Sequence, residues 1–131
     1  MAIDQAKLNQ LEQRTVHFSA TVVRACIKYN ADPALRPVVD QLIQSATAIG
    51  AGCARAISAS SMIDFTNNIF IAKTAAGETR YWLKVLEELL PKENLNRLNQ
   101  EALKLTMVLQ KIAMTLVETT AQSKGNFRHG K

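Results

Sequence analysis

Four stretches of this chain repeat apolar or small residues at alternating steps of three and four, and this rhythm restricts the fold more than any other feature. The first runs Leu8, Leu11, Thr15, Phe18, Val22, Ala25, Tyr29, and the second Leu35, Val39, Leu42, Ala46, Ile49, Cys53, Ala56. The third runs Phe65, Ile69, Ala72, Ala76, Thr79, Leu83, Leu86, Leu90, and the fourth Leu95, Leu98, Ala102, Leu105, Leu109, Ile112, Leu116, Thr119. A period near 3.6 puts each set on one face of a helix, and a repeat of 3.5 suits the left-handed packing of bundles. No alternating run of strand type competes with it. The spacing predicts an all-α chain: an antiparallel up-down four-helix bundle with helices at about 4–29, 36–57, 61–90 and 94–122.

The gaps between the stripes carry helix-end chemistry. Asn30-Ala31-Asp32-Pro33 reads as a turn, because a proline disfavours helix in the residue before it. Pro37 suits a first helical turn, where a missing N–H costs little. Ser61 with Asp64 resembles a capping box, Pro91 closes the third helix, and Asn94 is a candidate cap for the fourth. Linkers this short predict antiparallel neighbours. The bundle is expected over 1–122, and 123–131, a basic stretch without a stripe, as a mobile tail.

Length and composition exclude several classes. A chain of 131 residues suits one domain with a real core, and 47% hydrophobic with 21% charged residues is ordinary for a soluble globular protein. No stretch approaches the length of about 18 apolar residues needed to span a membrane. Met1 to Gln10 lacks the layout of a secretory signal, so a cytoplasmic location without membrane partners is expected. Cys26 and Cys53 would lie roughly 20 Å apart along a hairpin axis at about 1.5 Å per residue. That is too far for a disulfide, and two free, mostly buried thiols are expected. A net charge of +5 points to an acidic partner such as nucleic acid, against a merely solvated basic surface.

The second helix is rich in Ala and Gly from Ala46 to Ala56. Gly50 and Gly52 suggest close backbone approach, either to another helix of the bundle or to a second subunit. Gly50-Ala51-Gly52 is no phosphate loop, since no strand precedes it. Ile63, Phe70, Ile71 and Trp82, with Val108, Met114 and Val117, exceed what one stripe per helix can use. A surplus of this kind marks a contact surface, and Gly50, Gly52, Phe70 and Trp82 are the candidates for a subunit interface.

Chemistry is sparse. His17 and His129 have no partner at ligand spacing, so no metal or cofactor is expected. Ser19 near His17 lacks an orienting acid, and Glu12 and Asp64 form no defensible acid–base pair; no enzyme is predicted. Glu78, flanked by Ala75, Ala76 and Thr79, is expected near the core with Arg55 as a candidate partner. The candidate nucleic-acid contacts are Arg24, Lys28, Arg55, Lys73, Arg80, Lys84, Lys104 and Lys111, with Lys124, Arg128 and Lys131 of the tail beside Phe127. Lys73, Arg80 and Lys84 of the third helix are expected to join Arg24 and Lys28 of the first in one patch.

Ser45-Ala46-Thr47-Ala48-Ile49-Gly50-Ala51, Asp64-Phe65, Ala72 and Glu78-Thr79-Arg80-Tyr81-Trp82-Leu83 together carry a resemblance. Over roughly residues 8–120 the chain resembles the bacterial four-helix-bundle family encoded in intervening sequences of 23S ribosomal RNA genes. A related branch is the accessory variability proteins of diversity-generating retroelements. The resemblance implies an up-down bundle, a barrel-shaped homopentamer and no enzymatic activity. In the retroelement branch it implies binding to a reverse transcriptase and to nucleic acid. Where the family commonly has Asn, a large apolar residue, a small or acidic residue and Glu, this chain has Gly52, Cys53, Ala54 and Arg55. A base in place of an acid makes that surface more favourable to an anion.

The function expected is therefore that of an oligomeric, nucleic-acid-associated accessory protein, acting with ribosomal RNA or a reverse-transcriptase complex. The rivals are a protein-interaction scaffold whose basic residues only solubilise it, and a small enzyme or ligand-binding bundle with its site between helices.

Overall fold

Each of the four stripes becomes a helix in the computed structural model. The structure describes the backbone of residues 4–29 and 31–129 and the side chains as far as 118. The helices are α1 (Gln5–Ile27), α2 (Arg36–Ile57), α3 (Met62–Leu89) and α4 (Asn96–His129), and no strand occurs among the described residues.

The ends follow local chemistry. The Asp4 side chain accepts from the Ala6 N–H and opens α1, which satisfies one of the orphan amides of a first turn. Pro37 sits in the first turn of α2. The Ser61 hydroxyl accepts from the Asp64 N–H at 3.1 Å, one half of the capping box. Pro91 follows the C-cap Leu90, and Asn94 accepts from the Asn96 N–H at 3.1 Å. One boundary is corrected: α4 continues to His129, through residues expected as tail. Nothing from Ser123 onward breaks a helix except Gly125, and one glycine costs only about 1 kcal/mol. The basic character of that end suits a helix C-terminus.

Burial reproduces the stripes almost residue by residue. All seven stripe positions of α2 and its lead-in are buried, and Leu42, Ile49, Ile69, Leu83, Leu105 and Leu109 are among the largest fully buried side chains. Cys26 takes the place expected of Ala25, and Ala113 is more deeply buried than Ile112, because steps of three and of four from Val22 and from Leu109 both return to the buried side of the helix. Thr15 and Thr79 are also buried; their hydroxyls donate to the carbonyls of Glu12 and Ala75, so neither is left unpaired. Cys26 and Cys53 are both free and buried, and burial pushes each thiol up to about 11.

Helices adjacent in the chain pack against each other, α2 with α3 most densely. The α1–α4 seam is sparse, and among the described residues no Cα of α1 comes within 8 Å of α3, nor any of α2 within 8 Å of α4, so these two pairs are the diagonals of the bundle. The Ser19 hydroxyl donates to the Ala46 carbonyl, and Gly50 faces Thr15, across α1 and α2. Gly52 faces Ala72 and Asn68 across α2 and α3, and the Asn99 amide donates to the Glu87 carboxylate across α3 and α4. Arg14 and Glu101 at 2.5 Å, with Lys28 and Glu93 at 3.0 Å, clasp the α1 side to α4 and its lead-in.

The small residues of α2 are thus explained inside the chain. A methyl group at Gly52 would lie 3.1 Å from the Ala72 Cβ and 3.2 Å from the backbone at Ala72 and Asn68. Glycine is what lets α2 and α3 approach this closely. Gly52 is buried, so the expectation of a subunit contact there is corrected: its close neighbour is α3 of the same chain. Gly50 is half-buried against α1.

Candidate nucleic-acid interface

The outward face of α3 presents Phe70, Lys73, Gly77, Arg80 and Lys84 at steps of three, four, three and four. Such spacing sets them in one row along the helix. The buried face of α3 uses Phe65, Ile69, Ala72, Ala76, Thr79, Leu83 and Leu86, and the row is what this leaves on the side towards α4. Phe70 and Lys84 are exposed, and Lys73 and Arg80 half-buried. The Lys73 ammonium lies 5.9 Å from the centre of the Phe70 ring, a cation–π distance. Phe70 and Lys73 form one wall of a shallow groove of about 210 Å³, closed on the α4 side by Gln110, Ala113, Met114, Val117 and Glu118. Lys73, Arg80 and Lys84 make no ion pair with a carboxylate among the described residues, so their charge remains available.

Gly77 stands at the middle of this row. It is exposed, and a methyl group built on it would meet nothing within 4 Å. A glycine in the interior of a helix costs about 1 kcal/mol relative to alanine. Unlike at Gly52, no packing among the described residues accounts for that cost.

Tyr81 is exposed and Trp82 half-buried against the core, with ring centroids 5.0 Å apart and planes at 80°. Trp82 is therefore anchored to its own bundle on one side. Phe70 remains a surface residue, as do Ile63, Ile71, Met114 and Val117, whereas Val108 packs against the core.

The other basic residues do not converge on this row. Arg24 is exposed on α1, in a depression with Asn9, Glu12, Val16 and His17. Lys28 is held by Glu93, which raises the lysine and holds the Glu93 carboxyl below its ordinary range. Since α1 and α3 are diagonal and share no edge of the bundle among the described residues, the expected single patch of Arg24, Lys28, Lys73, Arg80 and Lys84 is corrected to two separate groups. Arg55 donates through Nε to the Asn68 side chain at 3.1 Å, and Asn68 in turn donates to the Asp64 carbonyl. Glu78 is exposed and not near the core. Its neighbours Ala75, Ala76 and Thr79 occupy the buried face, and one step of a helix turns Glu78 away from it. Lys104 and Lys111 are exposed on α4. Lys111 shares a groove of about 420 Å³ with Lys7, Asp4, Leu8, Leu11, Val108, Ile112 and Thr115, where the α1–α4 seam is open. The side chains of Lys124, Arg128 and His129, and all of Lys131, lie outside the described residues.

Catalytic groupings do not form around the residues weighed for them. Ser19 donates to the Ala46 carbonyl across the α1–α2 interface, while His17 is exposed on α1. No cluster of three or more His, Cys, Asp or Glu that could hold a metal occurs among the described residues, and no helix among them is long and apolar enough to cross a membrane.

Two apolar features escaped the sequence reading. Val16, Ala20, Val23 and Ile27 form a second, charge-free row on α1, with Val16 62% and Ile27 67% exposed. Leu103 and Met107 add to Met114 and Val117 on α4. The spacing of four, three and four from Val16 to Ile27 was the available signal on α1; it was hidden by the stronger stripe beside it.

Comparison with known proteins places these features in context. The family model described as 23S rRNA-intervening sequence protein matches residues 7–111. A crystal structure of a protein of unknown function from the S23 ribosomal protein family of Bacteroides thetaiotaomicron has a TM-score of 0.72 and 24% identity, covering 82% of this chain and 98% of that one. At that identity the likeness is one of fold. No curated protein matches the chain.

Proposed function

The chain belongs to the 23S rRNA-intervening sequence protein family, and from that premise we propose that it is a non-enzymatic, oligomeric bundle that binds RNA through the basic, aromatic-tipped row of α3. The observation that carries this reading is the row itself: three cations free of carboxylate partners among the described residues, with Phe70 at one end. Cations track a nucleic-acid backbone, and an exposed ring stacks on a base. The site is cytoplasmic, and ribosomal RNA is the partner that family membership favours. A reverse-transcriptase complex, as in the retroelement branch, rests on resemblance alone.

The proposal includes an antiparallel, up-down order of the helices. It is supported by the contacts of Thr15 and Ser19 with Gly50 and Ala46, and of Asn68 and Ala72 with Arg55 and Gly52. In each set the numbers rise along one helix as they fall along the other. It also includes self-assembly, as a homopentamer by family resemblance. Support comes from the charge-free row Val16, Ala20, Val23 and Ile27, because exposed apolar rows mark protein contacts. The same row supports the rival reading, a protein scaffold that binds no nucleic acid.

The test is binding of a labelled mixed-sequence RNA oligonucleotide as salt is raised. Three neutralised phosphates on a single strand give a slope of log affinity against log salt of roughly −2. Absence of RNA retention at about 50 mM salt, with a protein partner recovered after nuclease treatment, would favour the scaffold.

A further inference from the structure

We infer that a single strand of RNA crosses α3 at Gly77, its backbone against the bare helix surface between Lys73 and Arg80; the inference rests on the RNA-binding reading above. The row from Phe70 to Lys84 is about 21 Å long at the rise of a helix. Lys73 stands four residues before Gly77, Arg80 three after and Lys84 seven after. All four therefore share a face, and the missing side chain leaves a dip between long cationic side chains. Among the described residues nothing fills that dip, for beyond the local helix itself no atom lies within 4 Å of where a Cβ would be. Exposed aromatic rings flank it: Phe70 at the end of the row, beneath Lys73, and Tyr81 beside Arg80. A backbone seated at Gly77 has a ring on either side for its bases.

Acidic residues bound the row and do not interrupt it. Glu118 lies in the groove beside Lys73, Glu87 is engaged by Asn99, and Glu88 follows Lys84 by one turn. Glu78 adjoins Gly77 in sequence but is turned aside from the row by one helical step. Charge also decides between occupants. A second copy docked here by a two-fold contact would set Lys73, Arg80 and Lys84 against their own counterparts, whereas in a cyclic ring the row would meet a different face of the neighbouring copy, an outcome that the oligomeric mass of the variants below separates from RNA binding. A polyanion meets the row with opposite charge along its whole length.

Gly77→Ala and Gly77→Leu test the assignment against a fluorescein-labelled, mixed-sequence single-stranded RNA by anisotropy at low salt. Thermal melts and light scattering of the free proteins run alongside. Open space at Gly77 and the good helix propensity of both replacements predict melting temperatures no lower than the parent's. The RNA affinity is expected to fall for alanine and by roughly tenfold for leucine, as for loss of a phosphate contact. Parent and both variants binding RNA equally would overturn the crossing at Gly77 while leaving the RNA-binding reading intact. A parent that binds no RNA would overturn both. A leucine variant that loses its oligomeric mass but keeps its RNA affinity would assign the dip to a second copy, and so overturn the inference.

Discussion

Two glycine-to-alanine substitutions in this chain should move stability in opposite directions, and the difference between them measures how closely α2 and α3 are packed. At Gly52 the new methyl would sit 3.1 Å from the Ala72 Cβ, 3.2 Å from the Ala72 amide nitrogen and 3.2 Å from the Asn68 carbonyl oxygen. Carbon contacts settle at about 3.5–4.0 Å, so each distance is several tenths of an ångström short. Two of the three neighbours are backbone atoms and cannot rotate away; the helices themselves must separate. Overpacking of this kind costs about 1–3 kcal/mol, against a gain in helix propensity of about 1 kcal/mol. Gly52→Ala is therefore expected to destabilise by about 1 kcal/mol, within a range of roughly 0–2. At Gly77 nothing stands within 4 Å, and Gly77→Ala keeps the whole gain, about 1 kcal/mol. Because the propensity term is common to both, their difference of about 1–3 kcal/mol isolates the packing cost. Urea denaturation at one fixed protein concentration reads it as a shift of midpoint with slope unchanged. An increase in midpoint for Gly52→Ala equal to that for Gly77→Ala would refute the close approach of α2 to α3.

Other substitutions and conditions give separate checks. Leu105→Ala empties a fully buried site and is expected to cost about 2–5 kcal/mol in the same assay. Cys26 and Cys53, both pushed up to about 11 by burial, should resist a maleimide at neutral pH in the folded protein and react in urea. Since their folded values lie above the unfolded ones, the stability they contribute is present below the ordinary thiol range and is lost as pH rises towards 11. The Lys28–Glu93 pair works with two signs. The contribution of Glu93 is present above the ordinary carboxylate range and lost as pH falls through its lowered value. That of Lys28 is present below the ordinary amine range and lost as pH rises through its raised value. Lys28→Gln should move the Glu93 titration up towards the ordinary carboxylate range when followed by nuclear magnetic resonance.

The core was legible because burial in a bundle follows period alone. Phe18, Leu42, Ile69 and Leu105 could each be assigned to it from spacing, and each is buried. The helix starts at Ser61 and Pro37 were legible for a different reason, since an end requires particular side-chain chemistry. The surface was less so. That Arg24 and Lys73 cannot meet depends on which helices share an edge of the bundle, a property of the assembled fold that no single stripe encodes. The roles of Gly52 and Gly77 look identical in sequence and differ wholly in space, one pressed on Ala72 and one facing open solvent. Arg55 was paired with the wrong residue for the same reason: Asn68 lies across from it, and Glu78 does not.

The order in which the helices touch also sets how the chain reaches its native state. Because α1 meets α2, α2 meets α3 and α3 meets α4, while the first and last helices share only a sparse seam, most native pairings close short segments. Chains of low contact order fold in roughly microseconds to milliseconds. The dense central hairpin can assemble once Leu89 has left the ribosome, before α4 has emerged, so a nascent chain has a nucleus on which its last helix docks.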